Sequence, residues 1–247
     1  MSTIYFPSTP ATFIHIPRTG GTSLETWAKN NNIDFEHHSL SKNEIHKKVL
    51  EKELLTNRYK YDHWSDLGTV FTFVRNPYER MVSLYHRVGQ RAEKNVIEYR
   101  AGIRTGNLKE WKVDIFQSDN LVQSLIDEIK IVNIYRMGFE NWITCVYENP
   151  EKFFQETNPR SHHTVLWWTN PMSQVKLFDG VTPDIVIKTE ELDMYFIKIQ
   201  ELLKCYAPLP KVHTSKHEPY QFYYNSRTQE MVKKMFADDL DMFGYNF

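Results

Sequence analysis

The sequence has no charge to spare. Its 30 Lys and Arg stand against 31 Asp and Glu, a formal net charge of −1. That balance excludes a whole-surface basic field and argues against nucleic acid as a partner, so any anion site has to be built locally. Cysteine is nearly absent: Cys145 and Cys205 form no C-x-x-C pair and no metal-like spacing. The two read as reduced structural thiols. The His and acidic residues fall into no convincing metal set either, and no metal is expected. No apolar run approaches the ~18 residues of a membrane span. The N-terminus, MSTIYFPSTP, lacks the basic stretch and apolar core of a signal peptide. These absences point to a soluble, cytoplasmic protein with no integral membrane segment. Glycine is scarce too, with 9 in 247 residues, so a place where two stand side by side calls for a reason.

What is there alternates between strand-like and helix-like segments. Residues 12–17 (TFIHIP) carry β-formers and read as a short strand. Thr22-Ser-Leu-Glu25 fits a capping box and opens a helix ending in Asn30-Asn31-Asn32. Residues 33–36 suggest a second short strand, and Ser41-Lys-Asn-Glu44 a second boxed helix to about Leu55. The run 69–75 (TVFTFVR) reads as a buried strand. After it Asn76 caps a helix, Pro77 takes its first position and Glu79 closes the box. Helices are expected near 118–130, 138–147 and 150–157, a strand at 184–188, and helices from Glu190 to Lys204 and from Ser226 to before Gly244. The alternation predicts an α/β fold, a P-loop-like three-layer architecture with a mainly parallel central sheet flanked by helices. No linker is visible, so residues 1–247 read as a single domain with a helical elaboration around 91–170.

Two strand–turn–helix units carry unusual chemistry at the ends where open α/β sheets bind ligands. In the first, FIHIPRTGGTS, Gly20 and Gly21 let backbone approach a ligand closely. The amides at Thr22 and Ser23 are donors at the positive end of a helix dipole. Arg18 adds a charge and a fork of donors, and Thr19, Thr22 and Ser23 add hydroxyls. This is an anion cradle, but not the nucleotide loop G-x-x-x-x-G-K-[ST], because the cation precedes the glycines. The plainer alternative is a glycine turn with Arg18 in solvent. In the second unit, VRNPYERMVSLY, Arg75 ends the strand. Asn76, Glu79, Ser83 and Arg87 fall near one helical face. Arg75 with the Ser83 hydroxyl suits a second phosphate; the plainer alternative is a well-capped helix.

HIPRTGGTS resembles the 5′-phosphosulfate loop of the sulfotransferases that use 3′-phosphoadenosine 5′-phosphosulfate (PAPS). In their carbohydrate-modifying branch, sulfotransferase family 2 with the heparan sulfate 2-O-sulfotransferase-like enzymes, the usual form is close to HIPKTGGTS. FTFVRNPYERMVSLY resembles that branch's 3′-phosphate motif. LPKVHTSKHEPYQFYYNSRTQEMVKKMFADDLDMFGYNF resembles its ending. The resemblance covers both ends well and the middle poorly. It implies transfer of a sulfuryl group from PAPS to an acceptor hydroxyl of a glycan or small molecule, with adenosine 3′,5′-bisphosphate as product and no metal. Arg18, Thr19, Gly20, Gly21, Thr22, Ser23, Arg75 and Ser83 would hold the cofactor. Lys216, in the S-K-H stretch, would reach the 3′-phosphate or close over it. Arg18 stands where the family usually has Lys; Arg does not give up a proton, so its role is electrostatic.

An acceptor alcohol needs a base. Relatives often carry a His between the two cofactor motifs, which here is His37 or His38, with His38 preferred. His15 reads as structural, and His63 and His86 as surface or packing residues. His162 and His163 precede Trp167 and Trp168, whose rings suit a sugar or adenine or simply a core. Two rivals stand beside this reading. A nucleotide or small-molecule kinase should show GK[ST] and an acidic Mg²⁺ ligand, and a binding module would keep the cofactor fold without turnover.

Overall fold

The structure, a computed structural model, describes residues 2–39, 68–87, 89, 132–149, 173–178, 181–212 and 217–247. The expected helices at 41–55, 118–130 and 150–157, with His63, His162, His163, Trp167, Trp168 and Lys216, lie outside them. Strands β1 (Ser2–Phe6), β2 (Ala11–His15), β3 (Glu36–Ser39), β4 (Thr69–Val74) and β5 (Ile185–Lys188) form one sheet. The helices used below are α1 (Gly21–Asn30), α2 (77–87), α3 (Phe139–Glu148), α4 (Leu192–Tyr195), α5 (Ile197–Leu202), α6 (Ser226–Met235) and α7 (Ala237–Phe243).

The chain divides into two compact units, Met1–Asn76 with Ser173–Thr214, and Pro77–Met172 with Ser215–Phe247. The first holds the sheet, in the order β3-β1-β2-β4-β5. β2 pairs parallel with β4, and β4 with β5; β1 runs antiparallel to both β2 and β3. Only β1 opposes the common direction, so the sheet is mixed but mostly parallel and the fold is α/β. The centre of the sheet is buried on both faces: Val70, Phe71, Thr72, Phe73 and Val74 of β4 are all shielded. That explains a near-continuous apolar run instead of an alternating one.

One face of the sheet carries an aromatic core. Phe13 packs against Phe71 and Phe73 with ring centroids at 5.2 and 5.0 Å. α1 lays Leu24, Trp27 and Ala28 on that core, the i, i+3, i+4 stripe of an amphipathic helix. Trp27 meets Phe196 edge-on at 5.1 Å, and its indole N–H donates to the Ala207 carbonyl at 2.7 Å. The buried ring therefore leaves no polar atom unpaired.

The second unit is helical. α3 buries Phe139, Trp142, Ile143 and Val146, again one stripe, in a cluster with Tyr78, Met81 and Tyr85 of α2 and Met231, Val232 and Phe236 of the C-terminal helices.

Several elements differ from expectation. β1 was not foreseen. It is made by pairing with β2 across the turn 7–10, a tertiary partner that the opening residues do not announce. The second short strand lies at 36–39 instead of 33–36. Its register is set by β1, and the Ile33 N–H is still held by the Ala28 carbonyl at the end of α1. His37 and His38 are therefore inside a strand and not in the loop after it. The segment expected as one helix from Glu190 to Lys204 is a 3₁₀ turn, Thr189–Glu191, followed by α4 and α5. The last helix breaks at Phe236, whose φ of −122° and ψ of 29° are not helical.

Candidate functional site

The loop after β2 is shaped by its backbone. Arg18 and Gly20 both have positive φ, 72° and 98°. For a long-chain residue that conformation is uncommon and costs of order 1 kcal/mol or more, and such strain collects at functional sites. Gly20 is the N-cap of α1 and makes no side-chain capping bond. Its carbonyl accepts from the Ser23 and Leu24 amides at 2.9 and 3.2 Å. The helix thus begins at Gly21, one residue before the expected Thr22 box. Its first-turn amides at Gly21 and Thr22 lie at the positive end of the dipole with no side-chain cap over them.

The hydroxyls divide. Thr19 is fully buried, and its hydroxyl donates to the Ile16 carbonyl at 2.9 Å, which closes the turn. Ser23 Oγ accepts from the Val212 amide at 3.2 Å, so it ties α1 to the chain after α5. Thr22 is exposed at the helix start. Of the three hydroxyls expected to face a ligand, Thr22 is the one that the loop leaves on its surface. Gly21 has no room for a side chain, because a Cβ there would fall on the His15 ring.

Arg75 comes to the same place. It follows β4 by one residue, and β2 and β4 are parallel neighbours, so their carboxyl ends lie side by side. Arg75 Nη1 donates to the Arg18 carbonyl at 3.3 Å across 57 positions of sequence. The Arg75 backbone is clamped by Gln174, whose Oε1 accepts from its N–H at 2.9 Å and whose Nε2 donates to its carbonyl at 2.8 Å. Thr189 donates to the Val74 carbonyl at 2.7 Å, and Glu190 accepts from the Asn76 N–H at 2.8 Å. That N–H is the one a Glu79 capping box was expected to occupy. Gln174, Thr189 and Glu190 were not singled out as site residues. Thr189 and Glu190 follow a strand end, where polar residues mark a site edge; Gln174 carries no such signal.

The histidines are the second feature. His37 pairs across the sheet with Ile4, and His38 with Thr3. Ile4 belongs to the core that α1 covers, so His37 is on the α1 side, as alternation along a strand requires. Its Nε2 lies 3.8 Å from Glu25 Oε2. The other Glu25 oxygen lies 4.0 Å from His15 Nδ1. Burial first, and the neighbouring His37 second, push His15 down to about 4. His15 is thus neutral near pH 7, in line with the structural role expected of it. Glu25 was expected to close a helix cap; it faces two imidazoles instead.

In the second unit, Ser83 is fully buried on α2. His86 Nε2 shares a hydrogen bond with the Tyr223 hydroxyl at 2.9 Å and stacks on His217 at 5.2 Å. Burial and His217 hold His86 below its ordinary value. The Tyr224 hydroxyl donates to the Tyr78 carbonyl at 2.9 Å, and its ring packs on Phe139 and Phe247. These C-terminal rings are packing residues.

Among the described residues no group of three or more His, Cys, Asp or Glu is arranged to hold a metal ion, and no helix is long and apolar enough to cross a membrane. No curated protein and no solved structure matches the chain. A family model does: that of the sulfotransferase family matches residues 2–246. With that match over nearly the whole length, the chain belongs to the sulfotransferase family.

Proposed function

We propose that this sulfotransferase takes its sulfuryl group from PAPS and delivers it to an acceptor hydroxyl, that of a carbohydrate. The observation that carries the reading is the meeting of two arginines from distant motifs, Arg75 Nη1 on the Arg18 carbonyl at 3.3 Å, beside a helix start with no side-chain cap. A bisphosphate calls for a cation at each of two points; Arg18 with the uncapped start of α1, and Arg75 at the end of β4, support the reading.

The chemistry follows in one displacement. The acceptor oxygen attacks sulfur, the S–O bond to the 5′-phosphate breaks, and the electron pair leaves with adenosine 3′,5′-bisphosphate. Charge grows on the 5′-phosphate oxygens. Arg18 and the amides of Gly21 and Thr22 stabilise it electrostatically, without giving a proton. Arg75 holds the 3′-phosphate. The acceptor proton goes to a histidine of the His37-His38 pair; Glu25 supplies a carboxylate beside His37.

Calorimetric titration with adenosine 3′,5′-bisphosphate, with ATP and Mg²⁺ run alongside, tests this reading. Micromolar binding of the bisphosphate and little binding of ATP is expected; preference for ATP moves the chain to kinase-like chemistry. Arg75→Ala should then weaken bisphosphate binding by ~1.5–3 kcal/mol, the scale of a charge-assisted bond. Unchanged affinity removes Arg75 from the site.

A further inference from the structure

Glu25 is a carboxylate with an assignment to explain. It stands on α1 two residues beyond Ser23, one-fifth exposed, and reaches histidines on two different strands. His15, from β2, lies on one side of it and His37, from β3, on the other. An exposed surface pair between long side chains is worth little and orders nothing. Here the carboxylate is mostly enclosed and its partners have short side chains on a paired sheet.

The two histidines differ in environment. His15 is 14% exposed and stays uncharged near pH 7, so it does not neutralise Glu25. His37 is 52% exposed, and its ring meets the edge of Phe35 at 5.4 Å. Lys29 of α1 lies over Phe35, at 5.8 Å from its ring centroid, and Glu36 is the neighbouring residue on β3. His37 Nε2 is the nitrogen that faces the carboxylate. A carboxylate beside one ring nitrogen favours the proton there and leaves the lone pair on the other. It also stabilises the imidazolium that forms when that lone pair takes a proton, the part a carboxylate plays behind a catalytic histidine. At 3.8 and 4.0 Å the contacts are longer than hydrogen bonds, and such contacts commonly tighten when substrate binds.

We propose that Glu25 is the positioning residue of His37: it holds the His37 proton at Nε2, so that Nδ1 receives the proton of the acceptor hydroxyl. The inference rests on the sulfuryl-transfer reading above. As the acceptor oxygen bonds to sulfur and the bisphosphate leaves, its proton passes to His37 Nδ1 and afterwards to water. His15 acts as the neutral wall that leaves the charge of Glu25 directed at His37.

The experiment uses the full chain with ¹⁵N-labelled histidine. The ring-nitrogen shifts of His37 in the wild type should report a proton on Nε2, and in Glu25→Ala a mixture of tautomers. In PAPS-dependent transfer, Glu25→Ala should lower kcat ~10- to 100-fold with bisphosphate affinity unchanged, and Glu25→Asp should recover part of the loss. A wild-type His37 protonated on Nδ1, or a Glu25→Ala chain with normal kcat, overturns the role of Glu25. A wild-type chain that does not bind the bisphosphate overturns the sulfuryl-transfer reading itself. The tautomer measurement needs no turnover, so the two failures are told apart.

Discussion

The two adjacent glycines serve different needs. Gly20 supplies a positive φ at the start of α1, while Gly21 makes room for the His15 ring. His15 is in turn held neutral by burial. Its folded value of about 4 lies below the 6.5 of an unfolded chain. Between those values the unfolded chain binds the proton and the folded one does not, so stability falls as pH drops through the window. The loss reaches ~3 kcal/mol at its lower end. Urea unfolding at pH 7 and pH 4.5 checks this: the wild type should lose more stability between the two than His15→Asn does. Equal losses would show that other groups carry the acid sensitivity. Gly21→Ala, which drives a methyl into the same ring, should destabilise by ~1–3 kcal/mol. Removing the ring with His15→Ala should relieve part of that cost, measurable as a coupling in a double-mutant cycle. Additive effects would mean that the contact does not decide the residue.

At the level of elements, the strands that bear the candidate site were legible and the helix starts were legible only to within a residue or two. β2, β4 and β5 announce themselves as β-branched and aromatic runs that end in polar turns, and the loop chemistry between Pro17 and Ser23 needed no structure to be noticed. β1 was hidden because it is made by pairing with β2, and the true position of β3 because its register is set by β1, over a separation that local pattern does not span. The caps show the same limit. Thr22 with Glu25 gave way to Gly20, and the Asn76 N–H found Glu190, which is 114 positions away. The helix expected from Ser226 does start there, and its cap is Asn225, whose side chain accepts from the Thr228 amide at 2.9 Å while Thr228 Oγ1 accepts from the Asn225 N–H at 3.1 Å. Asx and Ser compete for the same capping role at adjacent positions, and sequence alone does not rank them. Substitution separates them. Asn225→Ala should cost ~1–2 kcal/mol, the scale of a lost N-cap, and Ser226→Ala less than ~0.5 kcal/mol. Thermal denaturation of both variants reads the difference, and the reverse ranking would place the cap at Ser226.

For the whole molecule, neither compact unit is a continuous stretch of chain. The backbone passes from one to the other after Asn76, Met172 and Thr214. The sheet unit takes its clamp on Arg75 from Gln174, and the helical unit takes Met231, Val232 and Phe236 from the last 33 residues of the sequence. With 30 basic and 31 acidic side chains the molecule projects no long-range field of one sign. On the reading proposed above, affinity for an anionic donor comes from short-range contacts such as those of Arg18 and Arg75, which are felt within about 8 Å at physiological salt. The same reasoning bounds the acceptor. A densely sulfated polymer is held by an extended basic face, whereas a neutral or weakly charged sugar needs only hydrogen bonds and ring contacts. The chain should therefore pass a heparin column unretained at ~0.15 M salt, and heparin should not displace adenosine 3′,5′-bisphosphate in a competition titration. Retention with displacement would reveal a basic face concentrated near the donor site and would move the acceptor class to a polyanion.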